Sequence, residues 1–167
     1  MRRVVITGMG TVSPLGNDVA STWEGVIAGK SGVGQITYFD TAEYRTTIGA
    51  QVWGFKPEEH FPARDIRRMD RFAQYALVAA REALSDAGLT DEILAQGLGE
   101  RTAVIVGSGI GGMATVTEQL RVLDQKGPGK VSPFFIPMIL PESAASMVAI
   151  EHGLKGPNIA VTAACAT

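Results

Sequence analysis

Apolar runs alternate with amphipathic stretches along this chain, the order expected when strands and helices pack in layers, and it places the protein in the α/β class. The run "RRVVITG", Arg2 to Gly8, is continuous in β-branched residues and predicts a buried strand closed by Gly8 and Gly10. Asn17 stands where it could cap a helix over "DVASTWEGVIA", with Gly29 as its stop. From Lys30 to Pro62, glycine, threonine and aromatics occur without helical period, which predicts loop and short strand around "RTTIGAQVWGF". Ile66, Met69, Ala73, Ala76, Ala80, Ala83 and Ala87 then recur at threes and fours, the stripe of one long helix from Asp65 that ends at Gly88.

Beyond it, "RTAVIVG" predicts a second buried strand, "GGMATVTEQLRVLDQ" a helix, and "KGPGKVSP" a surface loop punctuated by glycine and proline. A further helix is expected from about Pro137 to Gly153, and "PNIAVT" is the last strand. No solenoid-period repeat, low-complexity tract or linker divides the sequence, so residues 1–167 read as one domain without an internal boundary.

Composition narrows the partners. With 46% hydrophobic residues in 167, the chain can bury a core, and a formal net charge of −2 argues against wholesale binding of nucleic acid, which draws on a strongly basic face. Too few apolar residues follow Arg2 and Arg3 for a signal-peptide core, and no run reaches membrane-spanning length, so no membrane partner is expected. Cys165, the single cysteine, can neither close an internal disulfide nor assemble a zinc site. A free thiol in a reducing cytoplasm is the expectation, with no metal.

Three features could carry chemistry. Gly107, Gly109 and Gly112 satisfy G-x-G-x-x-G between a strand and a helix, as a dinucleotide-binding turn would. That reading also wants an acidic residue at the end of a following strand, where this sequence has "GPGKVSPFF"; the alternative is glycines that permit close backbone approach. Arg64, Arg67, Arg68 and Arg71, at i, i+3, i+4 and i+7 on the long helix, would share one face, either solvated and moderated by Asp65 and Asp70 or set against an acidic partner, with Lys130 as an extension.

Cys165 is the third. It follows a strand and is hemmed by Ala163, Ala164 and Ala166, small residues that permit a sharp turn with the side chain at its apex. A helix starting there would stabilise a thiolate and offer amides to an oxyanion. A lone cysteine packed as a small hydrophobe fits the position equally well. His60 and His152 have no spacing that ties them to it, and neither is assigned a catalytic role.

Taken together, "VVITGMGTVSPLG", "SGIGG", "GPGKVSPFFIP" and "GLKGPNIAVTAACAT" resemble, in order and spacing from Arg2 to Thr167, the elongating condensing enzymes of the β-ketoacyl-acyl-carrier-protein synthase II type. The resemblance implies a thiolase-like layered fold, here an incomplete first half with a mostly parallel sheet between helices. It implies Cys165 as the nucleophile that takes an acyl chain from a carrier-protein thioester, before attack by the carbanion from decarboxylated malonyl-carrier protein. Relatives of the chain-length-factor kind lack this cysteine, so its presence favours the catalytic branch.

It further implies that Ile110 lines the acyl pocket, that Phe135 closes that pocket from the other subunit of a homodimer, and that Arg67, Arg68 and Lys130 dock acidic acyl-carrier protein. Gly129 stands where the family often has a second basic residue. No cofactor is implied. Family members run to roughly two and a half times this length, and their catalytic histidines and supporting lysine lie in the second half. The expectation is therefore the nucleophile-bearing amino-terminal portion of a condensing enzyme, inert until a longer polypeptide or a second chain completes it. A dinucleotide-dependent oxidoreductase and a non-catalytic carrier-protein-binding module are the rivals.

Overall fold

The computed structural model describes residues 3–167, which form two compact units. One is built from the chain up to Lys56 together with Val78–Gly88, the other from Pro57–Leu77 and Leu89–Thr167. Both helices and strands contribute, as the α/β class requires.

In the first unit, α1 spans Val19–Ile27, and a short antiparallel pair joins β1, Gly34–Gln35, to β2, Ile48–Gly49. The cap of α1 is Asp18 and not Asn17: its carboxylate accepts from the Ser21 amide at 2.7 Å, whereas the Asn17 side chain donates to the Trp53 carbonyl at 3.2 Å. The expected strand over 2–8 does not form among the described residues, and its first residue, Arg2, lies outside them. Val4 and Ile6 are 95% and 85% exposed. No strand pairs with residues 3–8 among the described residues. Just downstream, the Met9 amide donates to Asp86 and the Thr11 amide to Glu82, both at 2.9 Å, so there the backbone bonds to helix carboxylates. Cβ atoms at Gly8 and Gly10 would overlap the carbonyl oxygens of Ala83 and Ala79, so here glycine allows the chain to lie directly on a helix backbone.

The expected long helix is two. α2 covers Ala63–Ile66 and α3 covers Arg71–Asp86, the division between the units falling within α3 at Leu77 and Val78. Asp70 breaks the run because its side chain accepts from the Phe72 amide at 3.3 Å while its carbonyl accepts from Ala73 and Gln74, a new helix start. Gly88, with φ +67°, ends α3 where expected.

The second unit holds the parallel pair of β3, Val104–Gly107, and β4, Asn158–Val161, in register Val104 to Asn158 through Gly107 to Val161. A short helix α4, Asp91–Ile93, runs through a wider turn over Leu94–Leu98 toward β3. Between the strands come α5, Met113–Lys126, α6, Phe135–Ile139, and α7, Ser143–Glu151. The single helix expected from Pro137 is interrupted because Pro141 forces its predecessor out of helical geometry: Leu140 has ψ 128°. α7 buries Ala144, Ala145 and Val148 and packs on β3 and β4. The opposite face of the pair carries the register partners Ile105 and Ile159, 64% and 48% exposed. No helix among the described residues is long and apolar enough to cross a membrane.

Candidate active site and adjoining basic surface

Cys165 occupies an exposed turn directly after β4. The turn, Ala164–Ala166, is a single 3-10 turn, and Ala164 enters it at φ +50°, the one left-handed residue other than glycine among those described. Left-handed backbone costs any residue that has a Cβ, so Ala164 holds local strain directly beside the thiol. Thr167 closes the turn: its hydroxyl accepts from the Ala163 amide at 2.7 Å and its own amide donates to the Ala164 carbonyl at 3.3 Å. The Cys165 amide has no acceptor among the described residues.

The glycine turn after β3 lies against this feature. A Cβ at Gly107 would come within 2.6 Å of Thr167 Cγ2, and one at Gly109 within 3.6 Å of the Ala164 carbonyl oxygen. The two parallel strands thus deliver the thiol turn and the glycine turn side by side, as their register requires.

The same turn is closed to a pyrophosphate. Its amides point inward, Gly111 donating to Ser108 Oγ at 2.9 Å and Gly112 to the Ile139 carbonyl at 3.1 Å. At the first turn of α5, the Thr115 amide and hydroxyl both donate to Asp70 Oδ2, at 2.8 and 2.7 Å. A buried carboxylate therefore holds the place that a phosphate would need, and the dinucleotide reading loses its anion site. Cβ atoms at Gly111 and Gly112 would overlap the Ile139 and Met138 carbonyl oxygens, so these glycines serve the close approach of α6.

Arg64, Arg67 and Arg68 do converge, although not on one continuous helix. They line a groove of about 300 Å³ with Ser132, Pro133 and Phe134, while Arg71 belongs to the next helix. The Arg68 guanidinium lies over the Phe134 ring, 4.5 Å from its centroid, and Arg64 pairs with Asp65 at 3.2 Å. Lys130 is exposed in the 3-10 turn Pro128–Lys130, a few residues before that groove's Ser132.

Ile110 is exposed in the glycine turn, and Phe135, half-buried, is the first residue of α6. His152 caps α7 and lies 3.2 Å from Asp91, on a different part of the second unit from the thiol's own turn. Sequence reading missed Asp70, taken as a surface charge, and Phe134, whose role depends on a loop folding back toward α2. Only the position of Asp70 one residue before α3 carried a signal, that of a helix cap.

A family model described as "Beta-ketoacyl synthase, N-terminal domain" matches residues 1–167. The chain belongs to the β-ketoacyl synthase family. Among curated relatives of the family, "3-oxoacyl-[acyl-carrier-protein] synthase 2" of Staphylococcus aureus (strain COL) is 48% identical over 99% of this chain. The protein of the same name from Coxiella burnetii (strain RSA 493 / Nine Mile phase I) is 46% identical over 99%. This chain spans 39% of the length of each.

Among solved β-ketoacyl synthase structures, "The ishigamide ketosynthase/chain length factor" matches with TM-score 0.82 at 34% identity, over 96% of this chain and 40% of that one. A β-ketoacyl synthase from Burkholderia phymatum STM815 matches with TM-score 0.75 at 25% identity, over 98% of this chain and 40% of the other. The fold is the thiolase-like α/β fold that the resemblance implies.

Proposed function

We propose that residues 1–167 are the nucleophile-bearing amino-terminal portion of a β-ketoacyl-acyl-carrier-protein synthase that elongates acyl chains by decarboxylative Claisen condensation. The observation that carries this reading is the exposed thiol of Cys165 on a strained turn after β4, in a chain 48% identical to a named 3-oxoacyl-acyl-carrier-protein synthase 2.

In the first step the Cys165 thiolate attacks the thioester carbonyl; a new carbon–sulfur bond forms, the old one breaks and the carrier-protein sulfur leaves as its thiolate. The Cys165 amide is free to hydrogen-bond the oxyanion that develops. In the second step malonyl-carrier protein loses carbon dioxide, and the resulting carbanion attacks the acyl-enzyme carbonyl. The carbon–carbon bond forms and the Cys165 thiolate is released. Proton handling is assigned to histidines outside residues 1–167, as the family resemblance implies. That remainder would also cover the bare Ile105 and Ile159 face.

Arg67, Arg68 and Lys130 form the surface for the acidic carrier protein, where charge mainly raises encounter rates. Ile110 and, from the second subunit of a homodimer, Phe135 line the acyl pocket; both are apolar, as a fatty chain demands. The test is acylation of the complete polypeptide by an acyl-carrier-protein thioester, followed by mass spectrometry. The acyl mass is expected on the peptide containing Cys165, and Cys165→Ala is expected to abolish condensation; full condensation by that variant would sink the proposal.

A further inference from the structure

We infer that Phe134 is a positioning residue for carrier-protein recognition, its ring holding the Arg68 guanidinium ready for an acidic partner; the inference rests on the docking role proposed above. Arg68 lies over the ring at 4.5 Å from the centroid. A guanidinium held over a ring face gains a cation–π attraction without using up its N–H donors, which stay available for bidentate contact with carboxylates. Arg64, by contrast, already spends its Nε on Asp65.

The backbone that carries the ring is held in place. Gln119 of α5 accepts from the Ser132 amide at 2.7 Å, and the Ser132 hydroxyl accepts from the Phe134 amide at 3.2 Å. This ties the loop that carries Lys130 to α5 and seats Phe134 beneath Arg68. An exposed arginine normally loses rotamer freedom when it binds; a seated one has lost part of it beforehand, so the partner meets a surface that is already ordered. The partner chemistry is a protein with clustered carboxylates, since Arg67, Arg68 and Lys130 present cations with no carboxylate partner among the described residues while Asp65 is engaged with Arg64.

The experiment is steady-state condensation by the complete polypeptide with acyl- and malonyl-carrier protein as substrates. Phe134→Leu, which keeps bulk and removes the π face, is expected to raise the KM for carrier protein by about two- to fivefold, the worth of an exposed cation–π contact, with kcat unchanged. Phe134→Tyr, which restores the face, should return KM to the original value. Arg68→Ala combined with Phe134→Leu should be no worse than Arg68→Ala alone. An unchanged KM in Phe134→Leu, a fall in kcat instead, or additive effects in the double variant would overturn the role of Phe134. Charge reversal of Arg67 and Arg68 to Glu distinguishes the two levels: if it leaves KM untouched the docking reading itself fails, whereas if it raises KM while Phe134→Leu is silent only this inference fails.

Discussion

The carboxylate of Asp70 accepts both the backbone amide and the hydroxyl of Thr115, at 2.8 and 2.7 Å, with the two residues only 6% and 4% exposed. One side chain thereby starts α3 and satisfies the first turn of α5. Asp70→Ala leaves two buried donors without an acceptor and is expected to cost about 1–3 kcal/mol. Thr115→Val removes the hydroxyl but leaves the amide bond in place, and should cost less. Urea unfolding of both variants checks the order; equal losses would mean that the amide contact contributes nothing.

Gly112 provides a second test of the same junction. Its φ is −79°, so alanine meets no backbone penalty there, yet a Cβ would overlap the Met138 carbonyl oxygen. Gly112→Ala should therefore destabilise by about 1–3 kcal/mol through overpacking alone. Gly129→Ala, whose Cβ meets open space, is the matched control and should leave the unfolding midpoint nearly unchanged.

Gly107 reaches the thiol turn through Thr167. A Cβ placed 2.6 Å from Thr167 Cγ2 displaces the residue whose hydroxyl holds the Ala163 amide. In the complete polypeptide, Gly107→Ala should lower the rate of acyl transfer to Cys165 on the order of tenfold, because small misplacements of a nucleophile are costly. Single-turnover acylation measures this; circular dichroism should show the fold retained.

Asp18 links α1 to pH. Its hydrogen bond from the Ser21 hydroxyl, and then that from the Ser21 amide, hold its carboxyl below the ordinary carboxylate value of 3.8. The folded pKa is depressed, so the capping contribution is complete above the unfolded value and is lost as pH falls through the folded one. Amide exchange at Ser21 should report weakening protection in that acidic window. Asp18→Ala should abolish the pH dependence and cost about 0.5–2 kcal/mol at neutral pH, nearer the lower end at this exposed site.

Local chemistry was legible wherever one short segment decides the outcome. The apolar run "AVIV", the amphipathic period of Met113–Lys126 and the glycines at 29 and 88 specify a strand, a helix and two helix stops without reference to distant residues. The small residues around Cys165 allowed either a buried thiol or one at the apex of a turn, and the structure exposes it. What the sequence left open was settled by pairing. The β-branched run at Val4 to Ile6 has strand propensity but no strand beside it; its neighbours downstream hydrogen-bond to helix carboxylates. The arginine period implied one helix because 3.6-residue spacing is blind to Asp70, a polar residue that turned inward to meet Thr115 from a distant segment. G-x-G-x-x-G likewise spells two things, a phosphate cradle and a close crossing of backbones. Only the tertiary structure chose between them, by burying a carboxylate where the anion would sit and laying the α6 backbone against the glycines, contacts that depend on chain reversal and that no local pattern encodes.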